Sequence, residues 1–270
     1  MTSATDVKDS SADAMPAIEP LLLAATRIGT FAGSRALTGA SGFFFRRDER
    51  LFLVTSRHVL FDEPSGHAPD RIEIELHIDR ANLTRSVGFS VPLYRERRGV
   101  WRQGKDAASE IDVAVIELEQ AALPPTCVLH AYTPAHLQDS LAEIEVGSAL
   151  LIVGFPLGFH DTLHHLPVVR QAVIASSFGL RFQGQGYFLT DARTHRGPSG
   201  APVVMRGPGP ATPENPLPWK LLGVHSARLD MGNRERQDES LGLNCAWYAD
   251  ILMTLTADVD GTGTPVSRDS

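Results

Sequence analysis

Short apolar runs, each ended by turn residues, follow one another along most of the sequence and restrict the folds open to it. The runs are rich in β-branched and aromatic residues, and the chain has 23 Gly and 18 Pro to separate them. Runs of this length between turn residues favour strands over helices. The predicted strands are Arg27–Ala32, Gly42–Arg46, Leu51–Thr55, Ile72–Ile78, Val113–Leu118, Ala149–Phe155, Val168–Ser176, Tyr187–Thr190, Ala201–Met205, Leu221–His225 and Gly242–Trp247.

Eleven short strands with little helix predict an all-β protein, built as an antiparallel barrel or sandwich. Only short helices are predicted, one just after His58 and one over Trp247–Thr256. Two stretches are predicted to be long loops, the charged Arg95–Glu110 and the Pro/Gly-rich Arg206–Pro218. Ala121–Glu145 is the predicted linker between two halves.

Both ends of the chain are poor in side chains that a core could bury. Residues 1–17 and 258–270 are therefore predicted to be a disordered arm and a disordered tail. Residues 18–257 between them form the folded unit, with halves at about 25–125 and 145–250.

The charge of the chain limits its partners. With 25 Lys+Arg against 32 Asp+Glu the net charge is −7, which argues against nucleic acid and anionic membranes as partners. The apolar run Pro20–Thr26 is too short for a membrane span and follows Glu19 rather than a basic residue, so a secretory signal is not expected. The expected location is the cytoplasm, where Cys127 and Cys245 are read as buried free thiols.

Three local patterns carry side chains suited to acyl transfer. His58 follows an apolar strand, Asp112 stands at the mouth of another, and Ser199 lies between glycines in Gly197–Val203. Acyl transfer by serine needs a nucleophile, a base for its proton and a carboxylate that fixes the tautomer of the base. Each pattern is common by itself, but the three together in this order are specific.

At these residues the sequence resembles the chymotrypsin-like serine peptidases, particularly their bacterial trypsin-like, Htr-type branch. The resemblance covers roughly Arg27 to Asp250. Further motifs that carry it are Thr38–Phe44 (TGASGFF), Val153–Gly158 (VGFPLG), Thr190–Ala192 (TDA) and Leu222–Ser226 (LGVHS).

The resemblance implies two antiparallel six-stranded β-barrels with a short C-terminal helix and a catalytic site between the barrels. It implies that His58 is the general base, Asp112 its orienting carboxylate and Ser199 the nucleophile. The N–H groups of Gly197 and Ser199 would form the oxyanion hole. Pro198 between them has no N–H, but this position is not one of the two donors. The resemblance implies no cofactor and no metal, and a PDZ module is not expected after Asp250, where 20 residues follow.

The residues before the nucleophile bear on specificity. In the trypsin-type enzymes that the sequence resembles, the residue six before the nucleophile lines the base of the specificity pocket. Here that residue is Arg193 rather than Asp, which argues against selection of Lys or Arg substrates. Thr194 and His225 resemble the pocket of glutamyl endopeptidases and picornaviral proteases, in which such a pair binds a Glu or Gln side chain of the substrate, and Ser226 continues the strand that lines the cleft. The alternative is that His225 is a packed strand residue and Thr194 a turn former.

Two further clusters have a functional and a structural interpretation. His160 and His164 have i,i+4 spacing, with His165 next to them, but this segment is predicted to be a loop and metal binding at that spacing needs a helix. The basic cluster within Arg95–Lys105 is interpreted as a solvated loop rather than a nucleic-acid patch.

The sequence therefore predicts a serine endopeptidase that cuts protein or peptide substrates. One alternative is a catalytically silent barrel that binds peptides, and another is an esterase or amidase acting on small acyl compounds. Whether an unidentified activator switches the enzyme on is left open.

Overall fold

The computed structural model describes residues 18–105, 110–193, 196–213, 215–230 and 240–258. The predicted all-β class is confirmed, and each predicted strand overlaps an observed one. The strands are β1 Ala25–Ala32, β2 Arg35–Arg47, β3 Arg50–Thr55, β4 Arg71–His77, β5 Ser86–Pro92, β6 Tyr94–Arg95, β7 Arg98–Gly99, β8 Trp101–Lys105, β9 Glu110–Leu118, β10 Ala149–Gly154, β11 Val168–Ile174, β12 Tyr187–Asp191, β13 Pro202–Arg206, β14 Trp219–Asp230 and β15 Ser240–Tyr248.

Helices contribute little to the described structure. The two α-helices are α1 Arg57–Leu60, which contains His58, and α2 Ile251–Leu255 near the end of the chain. Short 3₁₀ helices form at Pro20–Leu23, Gln120–Ala122, Pro134–His136, Leu141–Glu143, Pro156–Gly158 and Phe182–Gly184. None of the described helices is long and apolar enough to cross a membrane.

The strands form two units in chain order. The second half is a closed six-stranded barrel in the order β10-β11-β12-β15-β14-β13, as the resemblance implies. The first half is a seven-stranded sheet in the order β5-β4-β1-β2-β3-β9-β8, one strand more than expected, and β6 pairs with β7 as a separate two-stranded ribbon.

Alternation along the strands divides the core into layers. In β2, Phe44 packs inside the first half, whereas Phe43 and Phe45 pack in the layer between the halves. Residues two apart in a strand share a face, so Ser41 lies on the same side of β2 as Phe43 and Phe45. Its side chain is thereby directed from the first half towards the second.

One prediction of a loop is wrong. Arg95–Glu110, expected to be a solvated loop, contains β7 and β8, and β8 pairs with β9 from Trp101↔Ile116 to Lys105↔Glu110. Residues 106–109 lie outside the described residues, as do the predicted arm 1–17 and the predicted tail except Asp258. Arg206–Pro218 does connect β13 to β14, as predicted.

Both cysteines are free, and burial differs between them. Cys245 in β15 is buried, in agreement with the prediction, whereas Cys127 is only partly buried.

Candidate active site

His58 and Asp112 are brought together by adjacent strands of the first half. β3 and β9 pair in register up to Thr55↔Ala114, so the turn that follows β3 lies over the start of β9. The side chain of Asp112 accepts two hydrogen bonds there, from the backbone N–H of His58 at 2.9 Å and from its ring Nδ1 at 2.7 Å. Both nitrogens belong to one residue, so a single carboxylate fixes the position and the orientation of the ring.

Ser226 connects the second half to the same carboxylate. Its hydroxyl donates a hydrogen bond to Asp112 Oδ2, the oxygen that also contacts His58 Nδ1. The backbone carbonyl of Ser226 accepts a hydrogen bond from Ser199 Oγ at 3.0 Å. The hydroxyl of Ser199 is thus turned to Ser226, and no hydrogen bond joins it to His58 among the described residues.

The two titrating groups shift each other's pKa. Burial lowers the pKa of His58, but the hydrogen bond and charge of Asp112 outweigh it, so the pKa lies above its ordinary value. Burial raises the pKa of Asp112, but hydrogen bonds and charge from His58, with a further hydrogen bond from Ser226, bring it below its ordinary value. Asp112 therefore stays ionised when His58 titrates.

The turn that carries Ser199 depends on the two glycines beside it. Gly197 has a φ of 107° and Gly200 a φ of 85°, conformations that residues with a Cβ rarely adopt. A Cβ on Gly197 would lie 2.5 Å from Phe155 O, and one on Gly200 would lie 2.2 Å from both Ser41 O and Thr55 Oγ1. Glycine is required at both positions for this backbone path.

Within the described part of the chain, the N–H groups of Gly197 and Ser199 are unpaired. The carbonyl of Arg196 accepts from Leu157 N at 2.6 Å, and that of Pro198 accepts from Ala201 N at 2.7 Å. The described peptides are trans, so the C=O and N–H of each unit point in opposite directions. The N–H of Gly197 and that of Ser199 therefore face away from these protein contacts and are free to bind an oxygen.

Sequence reasoning missed the part that Ser41 plays in this site. Ser41 is fully buried, and its hydroxyl donates to Gly197 O at 2.9 Å and accepts from Phe155 N at 3.0 Å. Its backbone N–H donates to Ser199 O at 2.9 Å, and its carbonyl accepts from Thr55 Oγ1 at 2.8 Å. A polar residue on the face of Phe43 and Phe45 was the signal that could have identified it.

His225 lies behind the nucleophile turn. Its carbonyl accepts hydrogen bonds from Gly200 N at 2.7 Å and from Ser56 Oγ at 3.2 Å. The residue is 2% exposed, and its Nδ1 has no hydrogen-bond partner in the described structure. Burial, with a smaller effect from the charge of His58, lowers the pKa of His225 to about 4. Thr194, its predicted partner in the pocket, lies outside the described residues.

The histidines after Phe159 are held in a turn-rich loop, as predicted. His160 Nδ1 contacts Gly158 O at 2.6 Å, and His164 Nδ1 pairs with Asp161 Oδ2 at 2.7 Å. His160 and His165 stack on each other. Among the described residues no group of three or more His, Cys, Asp or Glu side chains is arranged to hold a metal ion.

Comparisons with known proteins agree on the kind of domain. A family model described as "Trypsin-like peptidase domain" matches residues 40–207. Among solved structures, the HtrA-type protease AlgW with a tripeptide matches 86% of this chain with a TM-score of 0.52 and 18% identity. The Rv3671c protease of M. tuberculosis in its active form matches 92% of this chain with a TM-score of 0.50 and 16% identity.

The two solved structures differ in how much of their own chain the match covers. The match covers 87% of the Rv3671c chain but only 58% of the AlgW chain. At these identities the two structures show a common fold. A search of curated protein sequences gave no significant match.

Proposed function

The chain belongs to the family of trypsin-like peptidase domains, and we propose that it is a serine endopeptidase with His58, Asp112 and Ser199 as its catalytic triad. The observation that carries this proposal is the double hydrogen bond from His58 to Asp112. With Nδ1–H donated to the carboxylate, the lone pair of His58 is on Nε2, where a general base needs it.

The reaction proposed is acyl transfer in two steps. Ser199 Oγ attacks the carbonyl carbon of the substrate while its proton passes to His58 Nε2, and the carbonyl oxygen becomes an oxyanion. The free N–H groups of Gly197 and Ser199 bind that oxyanion. The oxyanion then collapses, the C–N bond breaks, and His58 gives the proton to the leaving amine. In the second step His58 takes a proton from the water that attacks the acyl-enzyme and returns it to Ser199 Oγ as the acid product leaves.

The hydroxyl of Ser199 has to turn before it can react. In the free protein it donates to the carbonyl of Ser226. Rotation of a serine about χ1 moves Oγ between staggered positions without any change in the backbone. The same contact is the one observation that favours the alternative function, a barrel that binds peptides without cutting them.

For specificity we infer cleavage after Glu or Gln. A pKa of about 4 leaves His225 neutral at pH 7, so it offers a substrate one N–H donor and no charge. A neutral donor suits the carboxylate oxygen of Glu and the amide oxygen of Gln alike. The hydroxyl of Ser226 is engaged by Asp112, so its contribution to substrate binding would come from its backbone. The contribution of Thr194 rests on the sequence resemblance.

The triad is tested with a peptide library, mass spectrometry and a fluorophosphonate that labels reactive serines. We expect labelling and cleavage by the wild type and neither by Ser199→Ala. Ser34→Ala, at an exposed serine in the turn between β1 and β2, serves as the matched control and should behave as wild type. Labelling without peptide cleavage but with turnover of small esters would point to the esterase. An unlabelled wild type would leave the peptide-binding module as the better description.

The pocket is tested by His225→Ala on the same library. Loss of the preference for Glu and Gln, with turnover of an unselective small ester retained, would support the pocket. An unchanged cleavage pattern would reject it and leave the triad untouched.

A further inference from the structure

We propose that Ser41 is a positioning residue of the oxyanion hole, acting through the carbonyl of Gly197. This inference rests on the proposed function and adds to it a residue outside the triad and the hole. Ser41 comes from β2 of the first half, whereas Gly197 lies in the nucleophile turn of the second half. The contact between them therefore spans the boundary between the two units.

The direction of each hydrogen bond at the hydroxyl of Ser41 is fixed. The N–H of Phe155 can only donate, so the bond of 3.0 Å that it makes uses a lone pair of the hydroxyl. The single proton of the hydroxyl is then available for Gly197 O, 2.9 Å away. Because Ser41 has no exposed surface, bulk water does not compete for these bonds.

These bonds fix one side of the nucleophile turn. The carbonyls of Gly197 and Ser199 are both bound by Ser41, the first by its hydroxyl and the second by its backbone N–H. The carbonyl of Arg196 is bound by Leu157 N. With three carbonyls of the turn held by the surrounding structure, the unpaired N–H groups of Gly197 and Ser199 keep their directions.

The hydroxyl matters because of the residue that it restrains. Gly197 has no Cβ, so its φ and ψ can change at little cost, and a rotation there would turn its N–H out of the hole. Pro198 has no N–H with which to anchor the same stretch of chain. The hydrogen bond from Ser41 Oγ to Gly197 O acts on the glycine directly and opposes this rotation.

A purely structural role makes a different prediction. A buried serine that only stabilised the fold would, when replaced, lower the melting temperature and leave each folded molecule fully active. A positioning residue stabilises the state in which the oxyanion has formed more than the state in which the substrate is merely bound, so its replacement lowers kcat more than it changes KM.

The test uses Ser41→Ala and, as a variant of similar volume with a weak hydrogen-bonding group, Ser41→Cys. Thr26→Val is the matched control, because Thr26 is also buried in the first half and loses its hydroxyl contacts, to Glu75 O at 3.0 Å and Arg27 O at 3.4 Å, away from the site. We measure kcat and KM on the best peptide from the library. We also measure the affinity for an aldehyde of the same peptide, which forms a hemiacetal with Ser199.

For both Ser41 variants we expect kcat to fall by about 10- to 100-fold with KM changed by less than about 3-fold, and affinity for the aldehyde to fall with kcat. Thr26→Val should lower the melting temperature and leave kcat and aldehyde affinity at the wild-type values. Wild-type kcat and aldehyde affinity in folded Ser41 variants would overturn the inference, as would failure of both variants to fold. A wild type that neither cuts the peptide nor binds the aldehyde would instead reject the proposed function.

Discussion

Asp112 accepts hydrogen bonds from both the backbone and the ring of His58, at 2.9 and 2.7 Å, although 54 residues separate the two along the chain. The orientation of the ring is therefore set by the start of β9 and is not a local property of α1. One carboxylate therefore sets the position of the histidine ring, its tautomer and its raised pKa.

We expect Asp112→Asn to lower kcat by about 10³- to 10⁴-fold while the protein remains folded. An amide can present an N–H to Nδ1, which would move the proton to Nε2 and remove the base from the face that Ser199 needs. Steady-state kinetics and circular dichroism measure the two effects. Asp79→Asn, at an exposed turn where Asp79 binds Ala81 N at 2.9 Å, is the control. A loss of less than about 10-fold in kcat for Asp112→Asn would contradict the role assigned to the pair.

The pH dependence of kcat/KM follows from the shifted pKa of His58. The base works in its neutral form, and Asp112 raises its pKa above the ordinary value of 6.5. Activity should therefore rise with pH and reach half its maximum above pH 6.5, as measured from pH 5 to 9 on one peptide. A flat profile, or a midpoint below 6.5, would contradict the general-base role.

In the seven-stranded sheet, the sequence predicts the central strands and misses the strands at the two edges. Core strands such as β3 have nearly every residue buried, so their apolar runs are continuous. β5 and β8 are the two edge strands of the seven-stranded sheet and were not predicted. β5 has no fully buried residue, and in β8 only Trp101 is buried. Edge strands bury little and tolerate polar residues and glycine, so they give weak periodic signals.

The candidate site divides in a similar way. His58, Asp112 and Ser199 could be predicted because each stands in a recognisable local pattern, and the structure brings His58 into contact with Asp112. Their catalytic roles stay predictions. The position of Ser41 on the face of Phe43 and Phe45 could have marked it as unusual, but the hydrogen-bond partners of Ser41 and Ser226 could not be predicted, because they depend on how the two halves pack.

His225 should make stability depend on pH. Its pKa is about 4 in the folded protein and about 6.5 in an unfolded chain, so between these values the unfolded state binds the proton that the folded state excludes. The contribution is fully present above pH 6.5 and is lost as pH falls towards 4, by about 3 kcal/mol in total. Urea unfolding at several pH values should show a smaller loss on acidification in His225→Leu than in wild type. Parallel curves for the two proteins would refute this assignment.

Arginines of the first half bind the segment that follows α2. Arg102 donates to the carbonyl of Ala257 at 2.9 Å and to Glu117 Oε2 at 2.8 Å, and Arg50 donates to the carbonyl of Thr256 at 2.6 Å. Arg102→Ala should lower the free energy of unfolding by about 1–2 kcal/mol, because hydrogen bonds from a charged donor are lost at a half-buried site. Urea denaturation measures it, with Arg85→Ala as the control, since Arg85 pairs with Asp79 at a more exposed position. An equal effect of the two variants would mean that the hydrogen bonds of Arg102 add nothing measurable to the stability of this segment.

The glycine after the nucleophile gives the sharpest prediction for stability. Gly200 has a φ of 85°, and an added Cβ would lie 2.2 Å from Ser41 O and from Thr55 Oγ1. Gly200→Ala should therefore lower the free energy of unfolding by about 1–3 kcal/mol through backbone strain, and by more if the overlap cannot relax. Activity should be lost as well, because relief of the overlap has to move the turn that carries Ser199. Gly88→Ala in β5 is the matched control, since an added Cβ there meets nothing within 4 Å. Urea unfolding and fluorophosphonate labelling of both variants measure the effects, and a stable, fully reactive Gly200→Ala would show that the turn is not held in the way described.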